Sequence, residues 1–281
     1  MKKVLQKIPR RLHLSKRQRN SAVYIILVLT GALLIGASLL DLLAAQLEYH
    51  SARSEYDLLR RTYMAPLSQT SLQAPDTLFS FLRRPVEQPT DVGTEPHINL
   101  ETEAETEAEA EATREMIISA MTELIALNPD FVGWINIEGT AVDYPVVRAE
   151  DNLTYIDHSF NGKRNSSGAI FMDYRCNQGF DDPLCLIYGH NMKDGSMFHA
   201  LISYLDPEFR EAHLKLTIIT HEGQVLPYRI SDVRWTDAFD QVFFHEISQD
   251  AEDHLLILST CSSDVDPDAR LLVFAKPVED K

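Results

Sequence analysis

Cys261, His190 and Arg270 each sit at the edge of an apolar run, and together they could carry out acyl transfer. Cys261 ends the run Leu255-Leu256-Ile257-Leu258-Ser259-Thr260, and Arg270 opens Leu271-Leu272-Val273-Phe274-Ala275 across a short polar loop. An adjacent cation favours the thiolate, the form of cysteine that attacks a carbonyl carbon. His190 follows Leu186-Ile187-Tyr188-Gly189 and precedes Asn191, so an imidazole lies at the end of a third apolar run. Acyl transfer needs a nucleophile, a proton donor for the leaving amine, and positive charge where the oxyanion develops. Cys261, His190 and Arg270 supply these in that order.

The elements that must hold these residues are strands. Short branched or apolar runs predict strands at 131–137, 141–147, 169–173, 184–188, 214–220, 225–235, 255–260 and 271–276. A helical stretch at 197–209 interrupts them. Ahead of them, Met116, Ile117, Ala120, Met121, Leu124, Ile125 and Leu127 recur at helical spacing, and Asn128-Pro129 ends that helix. Eight short strands with few helices predict a closed barrel or a sandwich, and strand counting leaves both open.

The preceding segment is built differently. Residues 1–20 contain eight Lys and Arg and no acid, and 22–40 run nineteen residues without a charge. As a helix rising about 1.5 Å per residue this run reaches about 28 Å, enough to cross a bilayer core. It is too long for the apolar core of a cleaved signal, about 7–15 residues, although Ala37-Ser38-Leu39 resembles a small-residue cleavage site. Basic residues before the span and acidic ones after it predict the N-terminus inside and the remainder outside. The formal charge is −16, but beyond the +8 of the first twenty residues the chain carries −24. That acidity excludes nucleic-acid binding by the outer part, since polyphosphate would be repelled.

The expected organisation is a basic cytoplasmic arm (1–20), a transmembrane anchor (21–43), an extracellular stalk with an acidic linker (44–112) and a catalytic domain (113–281). Residues 42–63 are amphipathic and extend the anchor as helix. Residues 66–100, rich in Pro, Thr, Gln and Ser, read as an extended tether. The run 101–111 places Glu at every second position, builds no apolar face, and reads as a disordered or frayed helical spacer. Cys176 and Cys185 could pair, or Cys185 could be a small buried hydrophobe; Cys261 is the odd thiol either way. His199, His213, His221, His245 and His254 show no zinc spacing and read as surface or helix positions. No metal or cofactor is expected.

Six blocks in a fixed order carry a family likeness. They are Asn128-Pro129-Asp130-Phe131-Val132-Gly133-Trp134-Ile135, Asp143-Tyr144-Pro145-Val146-Val147 and Asp151-Asn152-Leu153-Thr154-Tyr155-Ile156. Gly168-Ala169-Ile170-Phe171-Met172-Asp173 and Tyr188-Gly189-His190-Asn191 with Met197-Phe198 follow. Last comes Leu258-Ser259-Thr260-Cys261 with Asp268-Ala269-Arg270. Over residues 128–276 the chain resembles the sortases, Gram-positive cell-wall transpeptidases, and class B above all. The resemblance selects a mainly β fold, an eight-stranded sortase-like β-barrel with a few short helices.

It also implies a reaction. Cys261 would attack the carbonyl of a threonine in a C-terminal sorting signal, Asn-Pro-x-Thr-x-like in class B, and hold the acyl group as a thioester. His190 would protonate the leaving amine and deprotonate an incoming one, while Arg270 would hydrogen-bond the oxyanion or the peptide backbone. Asn152 and Ile156, four residues apart, match groove positions that contact the sorting peptide. Tyr188 and Ser259 stand two residues before His190 and Cys261, so strand alternation puts each on its partner's face. Thr260 could assist the oxyanion through its hydroxyl or its backbone. Implied partners are secreted proteins bearing sorting signals, a peptidoglycan precursor or pilin amine as acceptor, and the membrane through the N-terminal helix.

One departure stands out. Class B members carry a long helical insertion before the cysteine strand, whereas about twenty residues separate Val233 from Leu255 here, and 237–249 could hold only a short helix. Rival readings are a catalytically silent extracellular peptide-binding module, a cysteine hydrolase of wall peptides, and a pilin-polymerising sortase using a lysine acceptor.

Overall fold

The computed structural model describes residues 16–67, 100–238, 254–261 and 268–278. The chain divides into two compact units, Met1–Glu48 and Tyr49–Lys281. Most of helix α1 (Lys16–Leu59) belongs to the first, and its large apolar side chains from Val23 to Leu47 are exposed. Among the described residues it is the one helix long and apolar enough to cross a membrane.

The second unit closes into an eight-stranded barrel. Its strands are β1 (Phe131–Ile137), β2 (Asp143–Val147), β3 (Ile170–Met172), β4 (Leu184–Tyr188), β5 (Lys215–Thr220), β6 (Val225–Asp237), β7 (Leu255–Cys261) and β8 (Ala269–Pro277). Their order around the barrel is β1-β2-β3-β4-β7-β8-β6-β5. The pairs β2–β3 and β4–β7 run parallel, and the other neighbours antiparallel. Successive side chains point to opposite faces of a strand. Leu256, Leu258, Leu271, Val273 and Ala275 therefore join the barrel core, while Ile257, Leu272 and Phe274 pack with Leu186 in a separate cluster on the other face.

Helix α2 (Leu100–Leu127) lays Ile117, Ala120, Met121 and Leu124 into the core at helical spacing, and leaves Met116 and Leu127 exposed. The helix already runs through 101–111, so the expected spacer is helical here. The stretch expected as one helix at 197–209 breaks into a 3₁₀ segment (Phe198–Leu205) and a short α3 (Pro207–Ala212). Asp206 causes the break: its carboxylate accepts the Glu208 N–H at 2.9 Å as an N-cap, with Pro207 at the first helical position. Cys176 and Cys185 are buried free thiols rather than a disulfide. The Cys176 contact, with burial, pushes the Cys185 thiol well up. The tether at 68–99 and the pre-cysteine segment at 239–253 lie outside the described residues.

Residues 49–67 fall within the expected stalk yet pack on the barrel, burying Ala52, Tyr56, Leu59, Met64 and Leu67. The Tyr56 hydroxyl donates to the Gly168 carbonyl at 2.8 Å and accepts the Phe160 N–H at 3.2 Å. One turn on, the Arg60 guanidinium pairs with the Asp143 carboxylate at 2.8 Å and lies 5.4 Å from the Tyr144 ring centroid. Asp143 also accepts the Trp134 indole N–H at 2.7 Å, so the ion pair is joined directly to β1. A buried hydroxyl satisfied on both sides leaves two orphans when it is deleted. Tyr56→Phe is thus expected to lower the unfolding free energy by about 1–3 kcal/mol, read by denaturant titration of the full chain in detergent. An unchanged midpoint would show that this contact does not hold the segment down.

Candidate active site

The site is built by strand registry. In the antiparallel β7–β8 pair Cys261 lies opposite Arg270, and in the parallel β4–β7 pair Ser259 lies opposite Tyr188. His190 follows Tyr188 by two residues, as Cys261 follows Ser259, so histidine and cysteine leave adjacent strand ends at the same level. A groove of about 570 Å³ runs over these ends. Cys261, His190 and Arg270 all line it, as do Asn152, Ile156, Tyr188, Ser259 and Thr260. Leu153 and Phe171 complete an apolar wall. Cys261 is half-buried, and the Arg270 guanidinium donates to the Ala269 carbonyl at 3.0 Å. Among the described residues no group of three or more His, Cys, Asp and Glu could hold a metal ion.

His190 is held by its backbone and its ring. A Cβ on Gly189 would lie 2.5 Å from Ile170 Cδ1 and 2.7 Å from Phe198 Cδ2, so only glycine lets the chain pass here. The Gly189 N–H donates to the Ser259 carbonyl at 3.1 Å, and the Phe198 N–H to the His190 carbonyl at 2.9 Å. The ring Nε2 lies 2.8 Å from the Ile156 carbonyl oxygen. A carbonyl only accepts, so Nε2 carries the hydrogen, and Nδ1 is the basic nitrogen of the neutral ring. Gly168, at φ +58°, passes so close to that carbonyl that a Cβ would sit 2.5 Å from its oxygen.

A second chain of bonds ties the histidine loop to the cysteine. Asn191 Nδ2 donates to the Cys261 carbonyl at 3.3 Å, and Asn191 Oδ1 accepts from His199 Nδ1 at 2.7 Å. His199, expected at a surface or helix position, is exposed in the 3₁₀ segment; its bond to Asn191 had no signal in the sequence beyond its proximity to the His190 block. Thr260 differs from expectation in one respect. It is buried, alternation puts its side chain on the face opposite Cys261, and its hydroxyl has no hydrogen-bond partner among the described residues. That hydroxyl therefore lies on the barrel-interior side of β7 rather than on the face that carries Cys261.

Beneath the groove lies a group that sequence reasoning missed, the buried carboxylate of Asp173. It follows β3, and its oxygens accept from five donors. Oδ1 accepts Arg175 Nε at 2.8 Å and the Arg175 backbone N–H at 3.0 Å. Oδ2 accepts Arg175 Nη2 at 2.8 Å, the Tyr188 hydroxyl at 2.8 Å and Asn152 Nδ2 at 2.9 Å. Asn152 Oδ1 in turn accepts the Tyr174 N–H at 3.0 Å. Burial raises the Asp173 pKa, but the bonds from Arg175, Tyr188 and Asn152 outweigh it and hold the carboxyl below its usual 3.8. Burial, with the Asp173 charge, pushes the Tyr188 phenol far up.

The comparisons with known proteins fit this geometry. The family model described as Sortase domain matches residues 135–278, which is half of the chain. The chain belongs to the sortase family. It is 46% identical over 93 residues to Sortase B of Listeria monocytogenes and 34% identical over 100 residues to Sortase B of Staphylococcus aureus. Those matches span 33% and 36% of this chain, and only 38% and 41% of the relatives' own length. Among solved structures, a cysteine-to-serine mutant form of Clostridium perfringens sortase B is similar at a TM-score of 0.55 and 28% identity, covering 60% of this chain and 91% of that one. This sortase is thus most like the class B members in both sequence and barrel.

The depressed Asp173 pKa has a consequence for acid stability. The unfolded carboxyl binds a proton at higher pH than the folded one, so the stabilisation is fully present above the unfolded value. It is lost as the pH falls below about 3.8 and through the lower folded value. The stability difference between wild type and Asp173→Asn, followed by chemical unfolding at stepped pH, is expected to shrink as the pH falls through that window. A difference that stays constant with pH would contradict this assignment.

Proposed function

We propose that this sortase is a membrane-anchored cysteine transpeptidase. It cleaves an Asn-Pro-x-Thr-x-like sorting signal after threonine and joins the released carboxyl to a cell-wall amine. The observation that carries the reading is the pairing of Cys261 with Arg270 across β7–β8, with His190 leaving the adjacent strand into the same groove. The Cys261 sulfur attacks the threonine carbonyl carbon, and the oxyanion forms within reach of the Arg270 guanidinium. Collapse breaks the peptide bond. His190 gives a proton to the leaving amine, and the thioester remains on Cys261. An incoming amine, deprotonated by His190, then attacks the thioester and regenerates the thiol.

The N-terminal helix supports a single-pass anchor, with the basic arm cytoplasmic and the barrel outside. The groove supports peptide rather than nucleic acid as substrate, since Leu153, Ile156 and Phe171 give it apolar walls and the protein is strongly acidic.

The test uses the full-length protein in detergent, a set of fluorogenic pentapeptides built on Asn-Pro-x-Thr-x, and triglycine as acceptor. An amide product is expected from wild type and none from Cys261→Ala. Arg270→Ala is expected to lower turnover by about 10²–10³-fold, the usual cost of one oxyanion donor. Folded wild type that gives only hydrolysis in the presence of triglycine, or no product with any signal, would sink the reading.

A further inference from the structure

The groove wall formed by Asn152 and Tyr188 does not hold itself in place. We propose that Asp173 is a positioning residue for peptide recognition: it fixes the Asn152 amide and the Tyr188 ring so that Asn152 offers an N–H to a carbonyl oxygen of the bound peptide. This deepens the transpeptidase reading and rests on it.

The argument begins with what each partner can do. A carboxylate only accepts and a backbone N–H only donates. The Asn152 amide lies between one of each, with Nδ2 on Asp173 and Oδ1 on the Tyr174 N–H. A flipped amide would set its oxygen against the carboxylate and its NH₂ against the Tyr174 N–H, so the two contacts select one orientation. One Nδ2 hydrogen goes inward, and the other is left for the groove that Asn152 lines. A peptide carbonyl is the group that suits it.

Tyr188 is fixed in the same way. Its hydroxyl donates to the same Oδ2 at 2.8 Å, and its ring packs 5.2 Å from Phe171, centroid to centroid, along the groove wall. Charge-assisted bonds to one buried carboxylate couple the two side chains, so a loss at Asp173 reaches both. Arg175 has a different part. It neutralises Asp173 from the other side with paired bonds at 2.8 Å and does not line the groove. An isosteric Asp173→Asn change replaces an acceptor-only group with one that must present an NH₂ to a set of donors. At least one of the contacts is then lost, and where that contact is the one to Asn152 its orientation rests on the Tyr174 N–H alone.

The experiment measures peptide affinity on the full-length Cys261→Ala protein, which cannot turn over, by titrating a labelled Asn-Pro-x-Thr-x peptide chosen by the turnover screen or, failing one, each member of the set. Adding Asp173→Asn is expected to weaken binding tenfold or more. Asn152→Ala weakens it alone and adds little on top of Asp173→Asn, because both changes remove the same N–H. Tyr188→Phe, which deletes one bond and keeps the ring, weakens binding several-fold and guards against a misfolded Asp173 variant. Arg175→Lys, which keeps a cation beside Asp173 and both groove bonds to it, leaves affinity within about twofold even where it lowers the thermal midpoint. Full additivity of Asn152→Ala and Asp173→Asn, or unchanged affinity in folded Asp173→Asn, overturns the proposal. So does an Arg175→Lys loss as large as that of Asp173→Asn, which marks a purely structural ion pair. Binding without turnover in the Cys261 parent would overturn the transpeptidase reading and leave this inference standing. No binding of any signal peptide overturns both.

Discussion

Strand β7 is hydrogen-bonded along both edges, in parallel to β4 and antiparallel to β8, and the whole groove depends on that double registry. Directly opposed residues on an antiparallel pair have Cβ atoms about 4.5–5.5 Å apart, so the ladder itself sets Cys261 beside Arg270. The parallel edge does the same for the histidine, since aligning Ser259 with Tyr188 brings the next two positions level. A slip of one residue on either edge would turn Cys261 towards the barrel interior, where Thr260 now lies. The apolar alternation of β7 resists such a slip, because Leu256 and Leu258 would exchange faces with Ile257 and Ser259.

A rigid barrel wall positions backbone well but gives little control over side chains that stand on it. Here that control comes from polar groups at the edge of the groove, of which Asp173 is buried. The Asp173 carboxylate, taken out of water, is tolerable only because five donors surround it. The Ile156 carbonyl and the Asn191 amide play corresponding parts for His190 and for the Cys261 backbone. Each of these is a loop group satisfied by a groove residue, so the loops and the strand ends hold one another.

Much of this could be read in the chain beforehand, for local reasons. Strands β1 and β4 fall at the expected residues, and β7 runs one residue longer, since branched and apolar runs bounded by turns have few other options. Cysteine, histidine and arginine were recognisable because their neighbours are short and distinctive. Alternation also carried a warning about Thr260 that a reading of its hydroxyl passed over: if Ser259 shares a face with Cys261, Thr260 does not. Non-local matters stayed hidden. Nothing near Asp173 in sequence says that Asn152 and Tyr188 will converge on it. An amphipathic helix at 49–59 has the same pattern whether it stands free or packs on a barrel, and only the Tyr56 and Arg60 partners decide between them.

The parallel β4–β7 ladder joins Leu184 to Leu255, about 70 residues further along the chain. Such a pairing has high contact order: its loop-closure entropy must be overcome before any of its bonds form. Cys261 meets Arg270 through the local β7–β8 pair, but meets the histidine loop only when β4 pairs with β7. A chain whose barrel has not closed therefore carries the thiol without the histidine loop beside it. The groove that Cys261 lines is therefore complete only once the barrel has closed.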